Sequence, residues 1–195
     1  MLNIFSAPIY SKILNLETKK LREYCIYLKE NIDSNNKSNR GGWQSPPLEK
    51  EDHPVLNNLI SEIYKSGEKY RQTISYKYPL KILNIWININ GNKDYNVQHT
   101  HPHCVVSGVY YLTSNNSNIV FINPSCDVMD YQWGRDTIKE YNEYNSKNWT
   151  LNPPANNLLL FPGWLNHRVD PNLNKKNRIS ISFNLIKGIH PSNGL

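Results

Sequence analysis

Cysteine is scarce in this chain. The three residues Cys25, Cys104 and Cys126 form an odd set with no CxxC spacing, which suggests neither a disulfide framework nor a thiolate zinc site and fits a reducing cytosol best. Long apolar runs are also missing. No window approaches the eighteen or so consecutive apolar residues of a membrane-crossing helix, and the opening MLNIFSAPIYSKILNL lacks the basic start and unbroken apolar stretch of a secretion signal. The expectation is a soluble cytoplasmic protein. Basic clusters are absent as well: the formal charge is +6, but Lys and Arg are scattered, so the charge reads as a solvated surface and nucleic acid is not the expected partner. There is no internal repeat at a fixed period.

What remains is a globular composition, with 38% hydrophobic and 11% aromatic residues in 195 positions. That length suits one domain over 1–195. The segment NLETKKLREYCIYLKEN spaces Leu21, Tyr24, Cys25 and Leu28 as one helical face from about Asn15, a candidate cap, to Asn31. A second helix is expected from Pro54 to about Tyr70, with Asp52 as its cap and Leu56, Leu59, Ile60 and Ile63 on one face. Between them DSNNKSNRGGWQSPP reads as a loop around Trp43.

After Pro79 the texture changes to short β-like runs: KILNIWININ, YNVQHTH, CVVSGVYYL, SNIVFIN, NWTLNP, NLLLFPG, NHRVDP and RISISFNLI. Eight short strands without intervening helices predict a mainly β jelly roll or sandwich over about 80–187, carried by two supporting helices in about 1–75. The 124–148 stretch is long for a connection and is a candidate lid or a surface excursion. Trp43, Trp133 and Trp164 are candidates for the mouth of a site or for packing. Exposed sheet edges and the aromatic content make a homodimer conceivable.

The chemistry concentrates in QHTHPHC. On a strand, His99 and His101 point to one face while Thr100 points away, which is a chelating arrangement. A lone histidine is usually a residue satisfied by hydrogen bonds. A His-x-His pair followed by His167, at the start of a later strand, favours a metal instead. Imidazole suits iron, zinc, copper or nickel, so the ligands alone do not choose the ion. His103 is a reserve ligand of the same parity, beyond a Pro102 that bends or ends the strand. Arg178 and Ser180 in RISISFN share a face, and a guanidinium fork beside a hydroxyl makes a carboxylate clamp; the plainer alternative is an arginine paired with a surface acid.

From Trp86 to Asn184 the motifs WININGNKDYNVQHTHPHCVVSGVYYL, LLLFPGWLNHRV and NRISISFN resemble the 2-oxoglutarate- and Fe(II)-dependent oxygenases, in particular a small family of bacterial and phage proteins. APIY and GGWQS are similar to the same family. The resemblance implies a double-stranded β-helix core, Fe(II) and 2-oxoglutarate as cofactors, dioxygen as cosubstrate, and hydroxylation of a substrate the sequence does not identify. By position it implies that His99 and His167 are metal ligands and that Arg178, Ser180 and Tyr111 hold 2-oxoglutarate. The superfamily's carboxylate ligand is replaced by His101, giving three histidines where a 2-His-1-carboxylate triad is usual. Two alternatives stay open: a three-histidine cupin-type dioxygenase that needs no 2-oxoglutarate, and a non-catalytic jelly-roll binding protein.

Overall fold

In a computed structural model, residues 4–35, 37–48, 54–113 and 118–189 are described. In chain order the elements are β1 (Tyr10–Ile13), α1 (Lys19–Asn31), β2 (Asn39–Arg40), β3 (Trp43–Gln44), α2 (Asn57–Thr73), β4 (Leu80–Asn90), β5 (Tyr95–His99), β6 (Val106–Tyr111), β7 (Ile119–Ile122), α3 (Cys126–Trp133), β8 (Asn148–Leu151), β9 (Asn157–Pro162), β10 (His167–Val169) and β11 (Arg178–Lys187).

The strands form two antiparallel sheets, ordered β1-β9-β6-β11-β4-β3 and β2-β5-β10-β7-β8. From β4 to β7, and again from β8 to β11, each successive strand lies in the other sheet. This alternation winds the chain into a jelly roll, the fold expected from the eight apolar runs.

The β4 sequence Ile85-Trp86-Ile87-Asn88-Ile89-Asn90 alternates, and the sheet uses both parities. Ile85, Ile87 and Ile89 join Ile179, Ile181 and Phe183 of β11 in a core closed by Leu21, Cys25 and Leu28 of α1 and Leu59 and Ile63 of α2. The helices therefore cover the outer face of the six-stranded sheet. A smaller cluster, with Val109 and Tyr111 of β6, Phe121 of β7, and Leu159 and Phe161 of β9, fills part of the space between the sheets. Beside this cluster, histidine, asparagine, serine and arginine side chains line a cleft between the sheets.

Several local expectations are corrected. Helix α1 begins at Lys19, and Thr18 occupies the N-cap without a side-chain hydrogen bond, so Asn15 caps nothing. The second helix opens with a 3-10 turn over Pro54–Leu56 before α2; the Asp52 cap lies outside the described residues. The loop read around Trp43 contains β2 and β3, which pair with β5 and β4. Trp43 is buried in the core, and its Nε1 donates to the Ile32 carbonyl at 2.8 Å. The 124–148 connection carries α3, which buries none of its side chains. Strand β1, which pairs with β9, was not expected. All three cysteines are free thiols, in keeping with their odd number.

Candidate metal and carboxylate site

Strand β10 pairs with β5 so that His167 stands directly opposite His99. Strand β5 ends at His99, so His101 is not held by strand alternation as the sequence suggested. It lies one turn further, where its main-chain N–H donates to the Gly163 carbonyl at 2.9 Å. That contact requires close approach of two turns: a Cβ on Gly163 would sit 2.4 Å from the Cys104 carbonyl oxygen. Glycine at this position of the FPG motif thus lets the His101 turn rest on the turn that leads into β10.

The consequence is a cluster of three imidazoles. Ring centroids are 4.4 Å apart for His99 and His167, 5.0 Å for His99 and His101, and 5.2 Å for His101 and His167. One ring nitrogen from each lies within 4.8 Å of the others. Nδ1 of His99 lies 2.7 Å from the Val97 carbonyl and Nδ1 of His167 lies 3.0 Å from that of Leu165. A carbonyl can only accept, so both Nδ1 atoms carry the proton and both Nε2 atoms are free to ligate. His103 is exposed, in a turn with φ of 66°, and is not in the cluster.

Burial holds all three rings neutral. The His99 pKa is lowered by burial against the opposing pull of the Val97 carbonyl. That of His101 falls to about 4, through burial and then the neighbouring His99. That of His167 falls to about 3, through burial and then His99. Neutral imidazoles at ordinary pH are the state a metal ion needs.

The rest of the cleft combines polar side chains with an apolar wall of Trp86, Val109, Ile119, Phe161 and Val169. Arg178, at the start of β11, is 3% exposed, and its Nη2 donates to Asn90 Oδ1 at 2.8 Å and Asn96 Oδ1 at 3.4 Å. Its Nε is buried and has no hydrogen-bond partner among the described residues. Ser180 follows on the same face and pairs in register with Tyr111 of β6. Tyr111 is buried, its phenol pushed up to about 12 by desolvation despite the opposing pull of Arg178. His99, His101, His167, Arg178, Ser180 and Tyr111 all line one cleft between the sheets, whose empty space measured out to open solvent is about 480 Å³.

The donor set fits a metal and a carboxylate: three neutral imidazoles converge, and an orphaned guanidinium N–H lies in the same cleft. The sequence reading missed Ser38, Trp86, Asn88, Asn96 and Ser182, which line the cleft too. Trp43, Trp133 and Trp164 do not. Strand parity held the signal: Trp86 and Asn88 alternate with isoleucines on β4, and Ser182 follows Ser180 by two.

A family model described as "Putative 2OG-Fe(II) oxygenase" matches residues 84–184, just over half of the chain. The chain belongs to this 2OG-Fe(II) oxygenase family. It is an oxidoreductase whose family works with Fe(II), 2-oxoglutarate and dioxygen. Among solved structures, a Pseudomonas putida prolyl-4-hydroxylase is similar at 11% identity and TM-score 0.65, covering 94% of this chain and 95% of that one. HygX from Streptomyces hygroscopicus, solved with nickel and 2-oxoglutarate bound, matches at 11% identity and TM-score 0.65 over 94% and 84% of the two chains. A prolyl hydroxylase from Trichoplax adhaerens, in complex with a hypoxia inducible factor peptide fragment, matches at 14% identity and TM-score 0.65 over 92% and 83%. At such identities the likeness is one of fold. No curated protein matches the sequence.

Proposed function

We propose that this oxygenase hydroxylates its substrate with Fe(II) held by His99, His101 and His167, and with 2-oxoglutarate held at its far carboxylate by Arg178, Ser180 and Tyr111. The observation that carries the reading is the meeting, in one cleft, of the three-imidazole cluster and a buried guanidinium whose Nε lacks a partner. The 1–195 chain acts as one domain, with the helices supporting the sheet that bears the clamp.

Each side chain has a distinct task. His99 and His167 present Nε2 because the backbone fixes their tautomer. Arg178 offers Nε–H to a carboxylate oxygen, Ser180 can donate its hydroxyl to the same group, and Tyr111 can add its phenol O–H, which burial keeps protonated. When bound, Fe(II) and 2-oxoglutarate together supply the dioxygen-activating chemistry of the family. Val109 and Phe161 line the same cleft and help exclude water from it. Similarity to two prolyl hydroxylases raises a protein side chain as one substrate class to assay.

The test is spectroscopic. Anaerobic addition of Fe(II) and 2-oxoglutarate is expected to give a weak visible charge-transfer band, and admission of dioxygen is expected to release succinate. Arg178→Ala should keep the metal and lose 2-oxoglutarate affinity by roughly 10- to 100-fold, the loss of one buried charge-assisted contact. A wild-type protein giving neither band nor succinate, or an Arg178→Ala protein binding 2-oxoglutarate as wild type does, overturns the reading.

A further inference from the structure

Arg178 is unusual in the company it keeps. A buried arginine is normally stabilised by a carboxylate, yet the side chains that accept from its Nη2 are the amides of Asn90 and Asn96. Neither Asp nor Glu lines the cleft among the described residues. Amide oxygens accept hydrogen bonds without bringing negative charge, so the guanidinium is fixed in direction while its charge stays uncompensated.

Both amides are themselves fixed. Asn90 is the register partner of Arg178 across β4 and β11. Its side-chain nitrogen lies beneath Gly42, where an added Cβ would sit 3.0 Å from Nδ2 and where φ is +46°. Asn96 lies on β5, opposite Asn39 of β2. Its Nδ2 donates to Ser38 Oγ at 3.1 Å, which turns Oδ1 toward Arg178. The segment from Ser38 through β3, read from sequence as a plain loop, therefore holds the Asn96 acceptor through Ser38 and brings Gly42 close against Asn90.

We propose that Asn90 and Asn96 are positioning residues: they aim the Arg178 guanidinium through Nη2 and, being neutral, reserve its charge and its Nε for the distal carboxylate of a dianionic oxo acid. The inference rests on the carboxylate clamp of the proposed function. It adds that selectivity for a dianion over a monoanionic oxo acid is set by the neutrality of residues 90 and 96.

The test measures binding, not turnover. Iron-loaded protein under anaerobic conditions is titrated calorimetrically with 2-oxoglutarate and with 2-oxopentanoate, which keeps the 2-oxo acid end but lacks the distal carboxylate. Wild type is expected to favour 2-oxoglutarate by about 10- to 100-fold, the worth of a charge-assisted hydrogen bond. Asn90→Asp and Asn96→Asp each supply an internal counter-charge and should compress that preference to roughly threefold or less, with 2-oxopentanoate bound as in wild type. A merely structural role would weaken both ligands alike, and that result overturns the proposal, as does a preference that survives both substitutions. Asn96 makes the longer contact, so Asn96→Asp decides the matter if Asn90→Asp fails to fold. Equal affinities in the wild type would instead remove the clamp itself, a different failure from that of the positioning role.

Discussion

In the proposed ligand set His101 takes the place of the carboxylate usual in iron oxygenases, so the three candidate ligands carry no charge of their own. Their burial has a consequence for the metal-free protein. His101 and His167 have folded pKa values of about 4 and about 3, against an ordinary 6.5. Below pH 6.5 the unfolded chain takes up protons that the folded chain refuses, so stability is full above that pH and falls as the pH falls. Glu62 and Glu68, held at about 2 by hydrogen bonds from Lys12 and from Arg71, lose their contribution only below the ordinary 4.5. The window from 6.5 to 4.5 therefore belongs to the imidazoles. The thermal midpoint of metal-stripped protein should be level from pH 8 to 7 and then drop, with a limiting slope of about 1.4 kcal/mol per pH unit for each proton. A midpoint unchanged between pH 6.5 and 4.5 would show that the rings are not buried as described.

At the scale of the element, register within each sheet sets its own part of the site. β10 against β5 sets His167 opposite His99, and β11 against β4 sets Arg178 opposite Asn90. The turn that brings in His101 depends on Gly163, where any side chain would strike the Cys104 carbonyl. Gly163→Ala should cost about 1–3 kcal/mol in a urea titration, as overpacking does. It should also weaken metal binding, because the His101 turn must lift from the turn before His167; unaltered stability and metal affinity would contradict this role.

Strands were legible because period-two alternation and Asn, Gly and Pro punctuation are local signals, and each of the eight expected runs contains a strand, although that of YNVQHTH stops at His99. β2 and β3 were not: each has two residues and exists only through pairing with a distant strand. Asn15 failed as a cap because α1 starts four residues later. The six proposed site residues do share one cleft, but the support behind them was hidden. The roles of Asn90 and Asn96 depend on register and side-chain rotamer, and asparagine is common in this sequence as ordinary surface.

Across the whole molecule, the jelly-roll winding accounts for the arrangement: helices seal one face of the six-stranded sheet, which leaves its other face and the opposing sheet to form the cleft. The same architecture recurs in solved proteins sharing only 11–14% identity with this chain, as expected when alternation rather than particular residues specifies the fold. No helix among the described residues is long and apolar enough to cross a membrane. Exposed Tyr131, Trp133, Tyr141 and Tyr144 lie on the 124–148 connection and are not among the residues that line the cleft.

Metal stoichiometry is the most direct measurement of the central claim. Anaerobic equilibrium dialysis against Fe(II) should load one ion per chain in the wild type, and His99→Ala, His101→Ala and His167→Ala should each lower the affinity by at least about 10- to 100-fold, since each removes one coordinate bond from a three-residue site. Occupancy in His101→Ala and His167→Ala equal to that of the wild type would contradict the account.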